Sequence, residues 1–194
     1  MPKPVLLFLM VAIVAFSCNS EYVPKPRGYF KIDFPQHKYQ QFDKPGFPYK
    51  FEYPVYAQIV QDTSFFDKAP ENPYWINIDF PSFNGRIYVS YKEIGKNSFD
   101  KLKDDAYKLT YKHTSKATSI EDSLMQTPLG VGGVFFKVGG NAATGKQFFL
   151  TDSTHHFLRG ALYFDTAPNE DSLATVNQFL QQDLFHLINS FQWK

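Results

Sequence analysis

From Ser119 to Phe164 the chain alternates four strand-like runs with three turn clusters, and no other feature restricts the fold as much. The runs are Ser119–Gln126, Val131–Val138, Lys146–Thr151 and His156–Phe164; the turns contain Pro128–Gly130, Gly139–Asn141 and Asp152–Thr154. Short runs at this spacing, joined by turn-forming residues, predict an antiparallel meander. In the last run Leu158, Leu162 and Phe164 share one face, and Phe157, Ala161 and Tyr163 share the other. Both faces are apolar, which predicts a central strand. Arg159 falls on the Phe157 face, where a guanidinium has to be paired or stacked on a ring.

Earlier in the chain, Tyr29–Phe34, Tyr49–Tyr53, Tyr56–Gln61, Trp75–Phe80 and Arg86–Tyr91 read as further strands. Pro35, Pro54 and Pro81 punctuate them, as expected at strand ends or sheet edges. Tyr29–Pro35 and Trp75–Pro81 share Ile-Asp-Phe-Pro, but their flanks differ, so they are two similarly ended strands rather than a repeat. A helix starts near Asn97 or Ser98 with Phe99, Leu102, Ala106, Leu109 and His113 as its predicted stripe. A second starts at Asn169 or Asp171 with a stripe of Leu173, Val176, Leu180, Leu184, Leu187, Ile188 and Phe191. Runs of strands with two separated helices predict an α+β domain, an antiparallel β-sheet packed by two main helices. The 21 Phe, 12 Tyr and 2 Trp suit such a sheet, with some of them left to line a partner groove.

At the N-terminus Val5–Phe16 is an unbroken apolar run preceded by Lys3. Twelve residues fall short of the roughly 20 that cross a bilayer, but they suit the apolar region of an export signal. Ala15-Phe16-Ser17-Cys18 resembles a bacterial lipobox, and Cys18 is the single cysteine of the chain. With no disulfide partner for it, the reading is a lipoprotein signal peptide over 1–17 and acylation of Cys18. A diacylglyceryl plus an N-acyl group meets the need for more than one chain in stable anchoring. Residues 18–28, with Pro24 and Pro26, then form a semi-extended tether, and 29–194 a single α+β domain.

Twenty basic against 19 acidic residues leave no field for nucleic acid. Gly140–Lys146 has the glycine and lysine spacing of a phosphate-binding loop. Gln147 stands where Ser or Thr would hold magnesium, and a strand follows instead of a helix, so a hairpin loop is expected. His155 and His156 are adjacent and point apart on a strand, while His37, His113 and His186 are scattered; no metal ligand set is expected. Asp152-Ser153-Thr154-His155 has hydrolase residue types in an order that suits a turn. No catalytic, cofactor-binding or metal residue is therefore expected, and the protein is read as a non-enzyme. Arg159 and the group Arg27, Tyr29 and Phe30 each have two readings, a structural one and a partner contact.

Several stretches together are similar to the gliding-motility lipoprotein D family (GldD) of gliding bacteria. They are Tyr22-Val-Pro-Lys-Pro-Arg-Gly-Tyr-Phe-Lys-Ile-Asp-Phe-Pro35, Pro48–Pro54, Trp75–Pro81, Ile87–Lys92, Tyr111–Thr114, Phe157–Phe164, Pro168–Leu173 and Ser190–Lys194. The resemblance implies a non-enzymatic envelope lipoprotein required for gliding and for the associated type IX protein secretion machinery. It implies other envelope proteins of that apparatus and a membrane as partners, with no nucleic acid, cofactor or small-molecule substrate. Glu21 is the sole acidic residue just after Cys18; surface-exported lipoproteins of such bacteria carry an acidic run there, so a periplasm-facing anchor is expected. A small-ligand-binding periplasmic lipoprotein is the alternative, and it requires a concave pocket with converging polar groups. The last strand, helix and Ser190-Phe191-Gln192 ending resemble a Mog1/PsbP-like sandwich.

Overall fold

The computed structural model describes residue 28 and residues 31–63 and 69–194. The chain divides into two units, Met1–Ile32 and Asp33–Lys194. In the first, Gly28, Lys31 and Ile32 are described, and all three are exposed and without regular structure. The second holds every described helix and strand.

The strands are β1 Tyr39–Phe42, β2 Tyr49–Pro54, β3 Gln58–Gln61, β4 Ile76–Phe80, β5 Gly85–Glu93, β6 Ala117–Gln126, β7 Gly132–Gly140, β8 Thr144–Thr151, β9 His156–Phe164 and β10 Gln192–Trp193. The helices are α1 Phe99–Tyr111 and α2 Glu170–Ser190. One sheet of seven strands has the order β3-β4-β5-β9-β8-β7-β6, and a second of three has the order β1-β2-β10. All paired neighbours are antiparallel. The domain is thus α+β, with two helices and antiparallel sheets. The meander read from the sequence is β6-β7-β8-β9, and β9 is the middle strand of seven.

Alternation sorts side chains onto two faces of the large sheet. Ile78, Ile87 and Leu162 lie in register on one face and are fully buried. They meet Val176, Leu180, Leu184, Leu187 and Ile188 of α2 in the main core, which also takes in Phe42, Tyr49 and Phe51 of the small sheet. Phe191, just past α2, stacks beside both Tyr49 and Phe51 and ties the small sheet to the helix end. The other face carries α1, whose Leu102 and Ala106 pack with Val134, Phe136, Phe149 and Phe157.

Helix α2 starts where its chemistry requires. The Asn169 side chain accepts from the Ser172 amide at 2.9 Å, and Glu170 and Asp171 occupy the first turn, where the helix dipole favours acid. The β7–β8 connection is a hairpin, not a phosphate loop. Gly140 has φ +87°, and a Cβ there would meet the Thr118 amide nitrogen at 2.6 Å, so glycine is needed for both turn and close approach.

Three local expectations change. Lys31–Phe34 forms no strand; Phe34 instead stacks on Phe179 of α2 at 4.4 Å, because docking one ring on the core replaces pairing a backbone. Leu109 is 40% exposed, and Thr110 occupies the buried stripe of α1 with Leu102 and Ala106. The Thr110 hydroxyl lies 3.0 Å from the Ala106 carbonyl one turn back, which makes the polar residue tolerable there. Strands β1 and β10 have no apolar alternation to announce them; both exist through pairing with β2.

Candidate functional site

Arg159 sits on central β9 opposite Ser90 on β5 and Phe149 on β8. Its guanidinium donates to Gln147 Oε1 and bonds the Tyr163 hydroxyl. Gln147 Oε1 also receives the Thr110 hydroxyl of α1, at 3.1 Å. Burial pushes the Arg159 pKa below its ordinary value and the Tyr163 pKa above its own. His113 packs 6.3 Å from the Tyr163 ring, and burial with the nearby Arg159 charge holds its pKa below the usual imidazole range. Among the described residues no carboxylate pairs with Arg159. The cation is held by neutral oxygens, and a guanidinium with five N–H donors retains capacity for an outside acceptor. Cys18, Arg27, Tyr29 and Phe30 lie outside the described residues.

A second cluster joins residues the sequence reading left scattered. Asp183 of α2 is 2% exposed. Its carboxylate accepts from the Tyr56 hydroxyl, from the Tyr39 hydroxyl at 3.1 Å and from His37 Nδ1 at 2.7 Å. The His37 ring stacks on Phe179 at 4.4 Å. Tyr39 in turn stacks on His186 at 3.4 Å, and His186 pairs with Glu52 at 2.6 Å. Burial, then the Asp183 charge, pushes the Tyr39 pKa up to about 12, and burial followed by the Asp183 hydrogen bond raises Tyr56 further. The sequence did hold a signal for this site: position 183 is three past Leu180 and four before Leu187, so an acid falls on an apolar stripe. A carboxylate there must find donors. Chemically, an Asp–His pair can orient a base, but here two tyrosines share the same carboxylate. The arrangement clamps the stretch from Phe34 to Tyr39 onto α2.

The remaining polar motifs are built into the fold. Asp152 Oδ1 accepts the backbone amides of Thr154, His155 and His156 at 2.8–3.0 Å. Those bonds outweigh the burial that opposes them and leave its pKa below the ordinary carboxylate value. His156 takes a 2.7 Å bond with the Tyr91 hydroxyl and stacks on Trp193 at 4.9 Å, whereas His155 is exposed. No group of three or more metal-ligating side chains occurs among the described residues. Nor, among them, is any helix long and apolar enough to cross a membrane.

Comparison with known proteins bears on what such a domain serves. A family model described as gliding motility lipoprotein GldD matches residues 19–193. The chain belongs to the GldD family. That membership associates it with gliding motility and with the lipid-anchored proteins of the cell envelope. The match begins one residue after Cys18. No curated protein matches the chain. Among solved structures, the solution structure of cyanobacterial PsbP (CyanoP) from Synechocystis sp. PCC 6803 is similar at 14% identity and a TM-score of 0.48, covering 88% of this chain and 98% of that one.

Proposed function

We propose that this GldD-family chain is a non-enzymatic assembly factor or adaptor, lipid-anchored and facing the periplasm, required for gliding and for the associated type IX secretion machinery. In this reading residues 1–17 are removed as a signal peptide, Cys18 is acylated, 18–28 form the tether and 29–194 the working domain. One observation carries it: a lipoprotein-family match that starts at Asn19, directly after the one cysteine. What supports a non-enzymatic role is how the titratable groups are used. Asp183, Asp152 and His156 hold helix, turn and strand in place through the bonds described above. Arg159, together with Arg27, Tyr29 and Phe30, is the proposed contact for other envelope proteins of the apparatus.

A gene deletion should abolish both colony spreading and secretion, and a Cys18→Ala chain should move from the membrane to the soluble envelope fraction. Normal spreading and secretion in the deletion strain, or Cys18→Ala protein still in the membrane, defeats the corresponding half. A small-ligand-binding periplasmic lipoprotein is the second reading, favoured by a groove between α2 and the β7–β8 hairpin.

A further inference from the structure

Strand β6, Ala117–Gln126, is the outer strand of the seven-stranded sheet, next to β7. It is the longest strand described, and seven of its ten residues are exposed. A free edge offers unpaired N–H and C=O groups to any extended chain, and proteins ordinarily blunt it with a short strand, a proline, a lysine or a bulge. The opposite edge, β3, follows that rule with four residues. By contrast β6 contains no proline and no lysine, and its irregularity, at Ala117/Ser119, lies at its start. From Ser119 to Gln126 it pairs with β7 residue by residue. That stretch is a regular ladder used on one side.

The side chains along the edge restrict what can pair there. Asp122 and Leu124 stand opposite Phe136 and Val134, so both lie on the α1 face. Leu124 is 87% exposed, the most of any large apolar side chain described. Asp122 accepts from the Tyr107 hydroxyl at 3.3 Å, a neutral donor, and among the described residues no cation pairs with it. Glu121, on the other face, already has Lys137 at 4.0 Å. On that face Ser123 stands opposite Phe135, whose ring packs 4.9 Å from the part-exposed Phe185 of α2. Only a small side chain therefore separates this ring pair from the edge position.

A second copy of β6 is a poor match. Glu121 and Asp122 lie in mid-strand, so any antiparallel register that pairs two copies over at least seven of the ten residues sets these acids opposite or diagonal to one another. Like charges in that relation destabilise.

We infer that β6 receives an extended segment of another protein as an eighth strand, antiparallel, with a basic side chain opposite Asp122 and apolar ones opposite Leu124 and Ser123. Strand addition takes its affinity from main-chain hydrogen bonds and its specificity from alternate side chains. The antiparallel sense is that of every other pairing in the sheet. The inference deepens the adaptor reading and rests on it for the ligand belonging to another protein.

The test uses the full chain in lipid nanodiscs and the labelled peptide acetyl-Thr-Val-Ile-Lys-Thr-Val-Thr-amide, which can set Val, Ile and Lys opposite Leu124, Ser123 and Asp122. Fluorescence anisotropy reads affinity, and residue-resolved hydrogen exchange reads the outer amides of Ser119–Gln126. Replacing the peptide Lys by Glu should weaken binding at least about fivefold, and Asp122→Lys in the protein should reverse that preference. Leu124→Ser, at an exposed position, should weaken binding about threefold. Two peptides N-methylated on alternate residues separate edge pairing from other contacts: the set facing β6 should cost at least about tenfold, and the set facing away should not. The outer amides should exchange fast in the free protein and at least about tenfold more slowly with peptide bound. Equal binding of the Lys and Glu peptides, or of the two methylated ones, overturns the proposal without any variant having to fold. Outer amides already slow in the free protein also overturn it, assigning the edge to a second copy if the protection rises with concentration and to the chain's own residues if it does not. If no peptide binds while the deletion strain still fails to spread and secrete, strand addition at β6 is refuted and the adaptor reading stands.

Discussion

Replacing Asp183 by Ala strips one acceptor from three donors at once, and its cost can be worked from the geometry. A hydrogen bond to a charged group contributes about 1.5–3 kcal/mol net, so three independent bonds would total roughly 5–9 kcal/mol. They are not independent. The His37 side chain is 27% exposed and can turn to water once released, and Tyr39 and Tyr56 are only part-buried at their hydroxyls. With the released donors able to regain water, about half of that total, roughly 3–4 kcal/mol, is expected for Asp183→Ala. For a domain of this size each 1 kcal/mol shifts Tm by roughly 2–4 °C, so Tm should fall by about 10 °C. Urea unfolding followed by tryptophan fluorescence measures the free energy, since Trp75 belongs to the main core and Trp193 packs against it. Tyr56→Phe alone should cost about 1–2 kcal/mol, the value of one such bond. The double variant should cost less than the sum by about 1 kcal/mol or more, because the shared bond is counted twice in the singles. An Asp183→Ala protein within about 0.5 kcal/mol of the parent, the range of an ordinary surface change, would refute the clamp. Additive singles would refute the shared bond.

Two further outcomes follow from single side chains. A Cβ on Gly160 of β9 lands within the ring of Phe148, which is fully buried, so Gly160→Ala should destabilise by about 1–3 kcal/mol; trimming Phe148 to Leu should lessen the penalty, and a neutral or stabilised Gly160→Ala would contradict the packing. His113 has a folded pKa held below its unfolded value of about 6.5. The unfolded chain then binds more protons, so this contribution to stability is present above about pH 6.5 and lost as pH falls below it; His113→Gln should weaken the dependence of the urea midpoint between pH 7.5 and 5.5, and an unchanged slope would show that the ring is not constrained.

What the sequence alone determined is local. A period of two in Ile87, Val89 and Tyr91 set β5, turn clusters between short runs set the β6–β9 meander, stripes at three and four set both helices, and Asn169 or Asp171 marked the start of α2, which Asn169 caps. Apolar residues on both sides of residues 157–164 even placed Arg159 on the central strand, since burial on two faces leaves its mark in the run itself. The clusters were not readable in that way. His37 and Asp183 are 146 positions apart and Tyr56 and Asp183 are 127 apart, so no window of neighbouring residues contains the pair. Strands β1 and β10 have no pattern of their own and form only because β2 offers them a paired edge. Lys146 looked like part of a hairpin with an incidental phosphate-loop spacing, and the hairpin was correct. That Lys146 lines a groove together with Asn177 depends on α2 lying against the β7–β8 hairpin, and the packing of α2 is set by the main core rather than by any residue near position 146. Periodicity records what each element buries; which polar groups are thereby brought together is decided when the elements pack.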